Sequence, residues 1–560
     1  MAALGVASAR ENLSKVTGTK HVMVKAKSVR RTMGAAVFAL GFAGAGLVNG
    51  CAVSESDVTR WEGTEHGPYK LVAVVTHDKY SWPLRTKAAI ALAEMPARGG
   101  QRKGISFLVD KYKDDESEPR EGALAVLPDD ARRQIVNGMA PTLIEKMKVA
   151  APKPDKDGRM PPDPSVPYKD VAFAMLSHEP TLITDDKTRA DIVAALTEWG
   201  QADFENRIEN GSQQYGLEQM MRFLGASSVK KLPGFINEDA YRVDRMAALV
   251  ADIGDEDTKK RAGDAMVALA KAINGPAWQA KQRQLIIDHN NAQGAKGVTE
   301  GQVNIQLQQV TDRRLNEEIF PAMKKVGGRS IVDYLLTFAA DPKNSDDRRK
   351  TALAALEGRL DKSNPQDLQR VFDICKDESV ADAIKDVAFQ RLQEFPKDQI
   401  VPKLYTLFEP KKWKIRWVAG DTVLKTGSTK DIPEFMRHLP ARPTTKMGMT
   451  EPLSYGGDIA KMEPPAGQPK PIEAIRPYLN SADIGPRLTA IGFFYNGKKA
   501  DQSNIAGFAD DKTPLPKCEK EDDCQWQCEV PKAGTKETET KEIATIGELV
   551  KLCVLPTMTN

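Results

Sequence analysis

Residues 69–95 read YKLVAVVTHDKYSWPLRTKAAIALAEM. Leu71 and Val74 lie at helical spacing in its first part. A polar stretch follows, and a second apolar-periodic segment opens at Pro83 and carries Arg85, Ala88 and Leu92. Apolar residues three and four apart share one helix face, and proline is tolerated in the first helical turn. The stretch therefore predicts two short helices joined by a tight turn. Beyond it, strand signals are scarce. Apolar residues recur at helical spacing in segments broken by Pro, Gly and Asp-rich turns.

A period emerges further along the chain. Ile331, Leu368, Ile400, Ile432, Ile472 and Ile505 each open a first helix after a polar cap, in steps of 37, 32, 32, 40 and 33 residues. Their contexts agree: RSIVDYLLTF, QDLQRVFDIC, DQIVPKLYTLF, KDIPEFMRHL, KPIEAIRPYL and SNIAGFAD. The second helices show a basic residue three positions before an alanine, as Arg349/Ala352, Lys385/Ala388, Arg416/Ala419 and Arg487/Ala490. The alanine is expected to face inward, where a small side chain lets helices approach. The basic residue is expected to reach the turn of an adjacent repeat. Self-similarity at such a period signals a repeat array.

The pattern resembles HEAT-like helical repeats. Pro83, Arg85, Ala88 and Leu92 fall where that family's second helix has Pro, Arg, Ala and Leu. SSVKKLPGFINEDAYRVDRMAALVADIG is a further unit, and the resemblance covers roughly 67–115 and 215–510. It implies an all-α fold, an α-solenoid of HEAT-like helix pairs. In such arrays each repeat buries its apolar face against its neighbours and the stack offers a concave surface. Residues 128–211 read as helical but less regular.

Two stretches depart from the period. Residues 277–325 read as two long polar helices with a narrow stripe of Ile286, Ile287, Val303, Ile305, Leu307, Val310, Leu315, Ile319 and Met323. This is the pattern of a helical hairpin projecting from the array; the plainer alternative is one overlong repeat. Residues 442–471, rich in Pro, Gly and Met, read as a linker that replaces most of one second helix. Loops of this length are functional or disordered more often than not.

The N-terminus has a different character. RRTMGAAVFALGFAGAGLVNGC, residues 30–51, runs from basic through apolar to small residues and a cysteine. That is the layout of a secretory leader, and the apolar run is short for a membrane span. The ending VNGC resembles the lipobox of bacterial lipoproteins, which implies a diacylglycerol on Cys51 and cleavage before it. Asn49 departs from the pattern, and Ala52 carries no sign of inner-membrane retention. An ordinary signal peptide and an uncleaved anchor are the alternatives. SVRRTMG resembles a twin-arginine signal but lacks its Phe-Leu, and Met23 is a second candidate start.

The formal net charge is +3, but residues 1–50 hold seven basic side chains and one acidic. The rest has 73 basic against 76 acidic residues, which gives no electrostatic case for nucleic-acid binding. The search for chemistry finds little. The six histidines are scattered, and no HExxH, GxSxG, phosphate-binding or dinucleotide fingerprint is present. We expect no catalytic residues, no cofactor and no metal site. KKWKIRW, residues 411–417, places Trp413 and Trp417 on one helix face among Lys411, Lys412 and Lys414. It reads as a candidate partner-binding patch, and alternatively as inter-repeat packing with solvated lysines.

With Cys51 on lipid, Cys518, Cys524, Cys528 and Cys553 remain near the C-terminus. Their spacing lacks the tight CxxC pairs of zinc sites, and an exported protein meets an oxidising compartment where disulfides persist. Three pairings are open. The expectation is Cys518–Cys553 with Cys524–Cys528, stapling a terminal cap; a metal or redox module is the alternative. Cys375, on the apolar run VFDIC, is expected as a buried free thiol.

The chain thus divides into a leader (1–50), a lipidated tether (51–66), N-terminal repeats (67–276), a hairpin insertion (277–326), C-terminal repeats (327–510) and a Cys-rich cap (511–560). The leading expectation is a non-enzymatic scaffold, anchored through Cys51 in the cell envelope at the outer membrane and binding protein partners. An enzyme with a site in the groove is the alternative.

Overall fold

The computed structural model describes residues 53–559 apart from 97–101, 114–117, 154, 156–158, 208–214, 293–298, 410–412, 440–450, 517–525 and 532–536. The leader, Cys51, Lys411, Lys412, Cys518 and Cys524 lie outside the described residues. The chain forms two compact units, one ending at Ser228 and the other beginning at Val229.

The first unit holds α1 (Glu55–Glu62), α2 (Gly67–Thr76), α3 (Trp82–Glu94), α4 (Lys103–Leu108), α5 (Asp129–Met147), α6 (Val166–Ser177), α7 (Asp186–Gln201) and α8 (Leu217–Leu224). A short antiparallel ribbon joins β1 (Lys111–Tyr112) to β2 (Arg120–Glu121). Helices α2, α4 and α6 form one layer, and α3, α5 and α7 the other. The opening stretch folds as expected: Leu71, Val74, Ala88 and Leu92 are all fully or almost fully buried between α2, α3 and their neighbours. The expected tether is partly structured. Ser54 and Asp57 form a reciprocal capping box that starts α1, and Val58 buries itself against α2 and α3.

The second unit opens with α9 (Val243–Ile253) and α10 (Glu256–Ile273). The hairpin α11 (Pro276–Ala292) and α12 (Glu300–Asp312) follows. A π-helical turn, Arg313–Ile319, leads into α13 (Phe320–Val326). Then come α14 (Arg329–Ala340), α15 (Asp346–Ala355), α16 (Pro365–Lys376), α17 (Asp382–Leu392), α18 (Lys397–Tyr405), α19 (Trp413–Thr426), α20 (Ile432–His438), α21 (Glu451–Ala460), α22 (Pro471–Ile475) and α23 (Ile484–Gly492). First helices α10, α14 and α16 stack in one layer; α13, α15, α17, α19, α21 and α23 stack in the other. This is an α-solenoid of helix pairs.

The period also appears in polar contacts between equivalent positions of successive repeats. Lys324 meets Glu357 at 2.5 Å, the Gly358 amide donates to Glu394 at 2.9 Å, and Lys397 meets Asp431 at 2.5 Å, across 33, 36 and 34 residues. Arg329 forms a two-pronged pair with the fully buried Asp367, 38 residues on, at 2.8 and 2.9 Å.

The expected inward alanines, Ala352, Ala388, Ala419 and Ala490, are all fully buried. The basic residues before them behave differently from expectation. Arg349 donates through Nε to the Ala339 carbonyl at 2.8 Å, at the end of the first helix of its own repeat. Arg85 does the same to Val75 at 2.8 Å, and Arg487 to Leu479 at 3.0 Å. A cation there satisfies an orphan carbonyl and complements the negative end of the helix dipole. Arg416 reaches forward as expected, to Glu451 on α21 at 3.3 Å, and Arg487 does both, donating also to Asp511 and to Thr513 beyond its own helix.

Several expectations are corrected. Residues 451–460 of the expected linker form α21, the missing second helix. Gly456, which suggests a loop, serves close packing. A Cβ on Gly456 would lie 2.2 Å from the Thr489 carbonyl oxygen of α23, and one on Gly420 of α19 would strike the Tyr455 ring at 2.4 Å. In α22 the core residue is Ile475 rather than Ile472, which is half-exposed. Ile505 is fully buried but sits between two 3-10 turns, Lys499–Asn504 and Ala506–Phe508, not at a helix start. The C-terminal cap is not purely helical: β3 (Gln527–Pro531) and β4 (Thr538–Glu542) pair antiparallel.

Candidate interaction surfaces

In the cap, Cys553 is joined to Cys528, not to Cys518, so Cys528 does not pair with Cys524 either. The bond ties β3 to the π-helical turn Leu549–Val554, which packs on α23. The physical reason is the hairpin: pairing with β4 holds β3 alongside that turn and brings Cys528 to Cys553. Closing a loop of 25 residues removes chain entropy equivalent to about 3–4 kcal/mol. Cys375 is a free, fully buried thiol, and burial pushes its titration upward. Among the described residues, no group of three or more His, Cys, Asp or Glu is placed to hold a metal ion. None of the described helices is long and apolar enough to cross a membrane.

Trp413 and Trp417 open α19. Ile415, on the opposite face, and Arg416, beside the indoles, are buried and leave the two rings toward the outside. Both rings are half-buried, their centroids 5.4 Å apart and their planes tilted by 34°. Lys414 is not a free cation in this patch. Its ammonium lies 3.3 Å from Asp382 and 3.8 Å from Asp386, both on α17. The described part of the patch is therefore aromatic and nearly neutral rather than basic. Two stacked indoles can supply apolar contact and a cation-accepting ring face at little conformational cost.

The hairpin forms as a two-helix arm but is shorter than expected: it ends at Asp312, and Leu315, Ile319 and Met323 of the expected stripe are fully buried in the π-helical turn and α13 of the array. Apart from its base, its polar contacts run between its own helices: Arg283 meets Glu300 at 2.9 Å, and Asn290 donates to Gln306 at 3.1 Å. Helix α11 buries only Trp278, and α12 only Val303 and Thr311. Leu285 remains 38% exposed and Ile305 58%.

A cleft of about 720 Å³ opens between α21 and the residues that follow α23. Ile472, Phe493 and Tyr495 line it, with Lys461, Lys498 and Asp458 among its charged groups. Lys461 is already paired with Asp458 at 3.3 Å.

The sequence reading misses one buried cluster in the first unit. Trp199 donates from Nε1 to Ser165 Oγ at 2.8 Å, and Arg207 donates to the same oxygen at 2.9 Å and to Asp163 at 2.8 Å. The Arg207 guanidinium lies 4.3 Å over the Trp199 ring. Lys169, fully buried, donates to the Tyr215 carbonyl at 2.5 Å and meets Asp170 at 2.5 Å, whose other oxygen holds Arg102 at 2.9 Å. Enclosed and satisfied in this way, these groups fasten α6 and α7 to the irregular segments around them; none is open to a substrate. No local pattern marks them, because most of their partners are 34 to 68 residues apart.

No protein-family model matches the sequence, and no curated protein matches it. Among solved structures, the chain is similar to Kap121p bound to Nup53p, at 12% identity over 80% of this chain and 43% of that one, with a TM-score of 0.25. It is similar to a Kap95p structure in complex with RanGDP at 10% identity, covering 82% of this chain and 63% of that one, with a TM-score of 0.23. The chain spans less than two thirds of the length of either. The helix pairing itself defines the class: an α-solenoid of HEAT-like repeats.

Proposed function

We propose that this chain is a protein-interaction scaffold of the bacterial cell envelope, lipid-anchored through Cys51, exported and facing the periplasm or the cell surface at the outer membrane. The observation that carries the scaffold reading is the Trp413–Trp417 pair. Two large aromatics stand half-exposed at the start of α19, on a helix locked by Arg416 and Tyr455. Tryptophans in rigid settings are the commonest anchors of protein interfaces. The leader supports export, and the Cys528–Cys553 bond suits an oxidising compartment.

Site-specific photo-crosslinking in the native cell tests the surface. A photoreactive residue at position 417 should give a discrete protein adduct that is absent with the same residue at exposed Val149. No adduct at 417 would overturn the assignment of this surface. Metabolic labelling with a clickable fatty acid tests the anchor: Cys51→Ala should lose the label, and an unchanged label would refute lipidation there.

A further inference from the structure

We infer that the α11–α12 arm is a self-association element, and that the partner covering it is the arm of a second copy of this chain. The inference is independent of the tryptophan surface and rests on three observations.

The first is incomplete burial. Helix α11 spans 17 residues and buries one side chain, Trp278, at its base. Ile286, Ile287, Leu307 and Val310 are only half-buried in the hairpin, while Leu285 and Ile305 are openly exposed. Most helical stability comes from packing an apolar face, and a two-helix arm has no third layer to supply it. Pairing two such hairpins into a four-helix bundle provides that layer.

The second is charge. Four of the five described acidic and basic side chains of the two helices are ion-paired within their own chain. Lys281 meets Asp239 at 3.2 Å, Arg283 meets Glu300 at 2.9 Å, and Asp312 meets Arg348 at 2.5 Å. Asp288 accepts from the Gln284 amide at 2.8 Å. The remaining surface is thus electrically quiet in a chain where 28% of residues are charged. Depletion of charge marks interface cores. With Lys281 and Arg283 against Asp288, Glu300 and Asp312, the described residues of the two helices carry a net charge of −1, too little to repel their own copy strongly, whereas a lysine-rich or acidic face would.

The third is the chemistry of what replaces the charges. Gln282, Gln302, Asn304, Gln308 and Gln309 crowd the two helices. A side-chain amide carries both donors and acceptors. Like can therefore pair with like across a two-fold axis, which an isologous interface requires.

Size limits the strength of the contact. A 17-residue helix is about 25 Å long, and two such strips meeting two others cover roughly 1,000 Å² in total, at the lower end of specific interfaces. The dimer should therefore form and dissociate with concentration.

Sedimentation velocity on the purified, oxidised full chain, over about a hundredfold range of concentration, tests this. The expected result is a reversible monomer–dimer equilibrium. Ile305→Glu should weaken dimerisation by at least about tenfold, and Leu285→Glu should do the same. Both sites are exposed in the monomer, so unchanged circular dichroism is expected. Val149→Glu, exposed in the other unit, should leave the equilibrium unaltered. A wild-type chain that is monomeric throughout would overturn the inference, as would a dimer indifferent to both arm substitutions. Either result leaves the crosslinking at position 417 unaffected, so the two readings fail separately.

Discussion

Arg349 and Arg207 are both buried guanidinium groups, 5% and 3% exposed, yet they hold different things. Arg349 spends its Nε–H on one carbonyl, that of Ala339 ten residues earlier, and so joins the two helices of one repeat. Arg85 performs the same task in the other unit at the same offset. Arg207 gathers Ser165, Asp163 and the Val149 carbonyl from 42, 44 and 58 residues away, beneath the Trp199 ring. The regular array spreads its fastening over small, equivalent, local increments. The irregular stretch concentrates it in one cluster. Loss of an increment should be tolerated; loss of the centre should not.

The largest effect is expected at that centre. Arg207→Ala leaves the buried Asp163 carboxylate without its cationic partner and should destabilise the first unit by about 3–5 kcal/mol. Urea unfolding followed by tryptophan fluorescence reads this directly. A loss below about 1 kcal/mol would break the comparison, because the cluster would then be only one increment among many.

A middle effect is expected in the array. Arg349→Met keeps the buried stem but removes the bond to Ala339, at a cost of about 1–3 kcal/mol. Hydrogen exchange should rise in α14 and α15 and leave α19 to α23 unchanged. Faster exchange throughout the second unit would show that the increments are coupled rather than local.

The smallest effect belongs to the exposed edge between α14 and α16. Arg329, hydrogen-bonded to Asp333, holds that carboxyl below its ordinary value of 3.8, with Arg370 assisting at 3.0 Å. A carboxyl lowered in the folded state contributes above its unfolded value and loses that contribution as pH falls through the folded one. Asp333→Asn should therefore cost less than about 1 kcal/mol at neutral pH, since Asp333 is 48% exposed and solvent screens the pair. The difference from wild type should shrink as melts are taken below pH 3.8 and vanish only below the lowered value of the folded state. A difference that persists in acid would mean that Asp333 acts through packing rather than charge.

The parts that could be read in advance share one property. Pro83, Arg85, Ala88 and Leu92 predict α3, and Ala352, Ala388, Ala419 and Ala490 predict the inward face of the second helices, because each position depends on residues within a turn or two of itself. The departure of the arm from the period was visible for the same reason. What could not be read depends on neighbours brought together by folding. Gly456 looks like part of a linker until α23 presses against α21. Lys414 looks like a free cation until α17 sets Asp382 and Asp386 beside it. Four C-terminal cysteines admit three pairings until a β-hairpin carries Cys528 to Cys553.

By itself, then, the order of residues determined the helical period, the two-layer repeat and the inward alanines, since 3.6-residue periodicity and helix-start chemistry act locally. Only the tertiary structure decided where the repeat arginines point, which cysteines meet, which lysine is neutralised and which polar side chains vanish into the first unit. Those outcomes turn on contacts between groups from 8 to 68 residues apart, made only when separate elements pack together, and no local spacing encodes them.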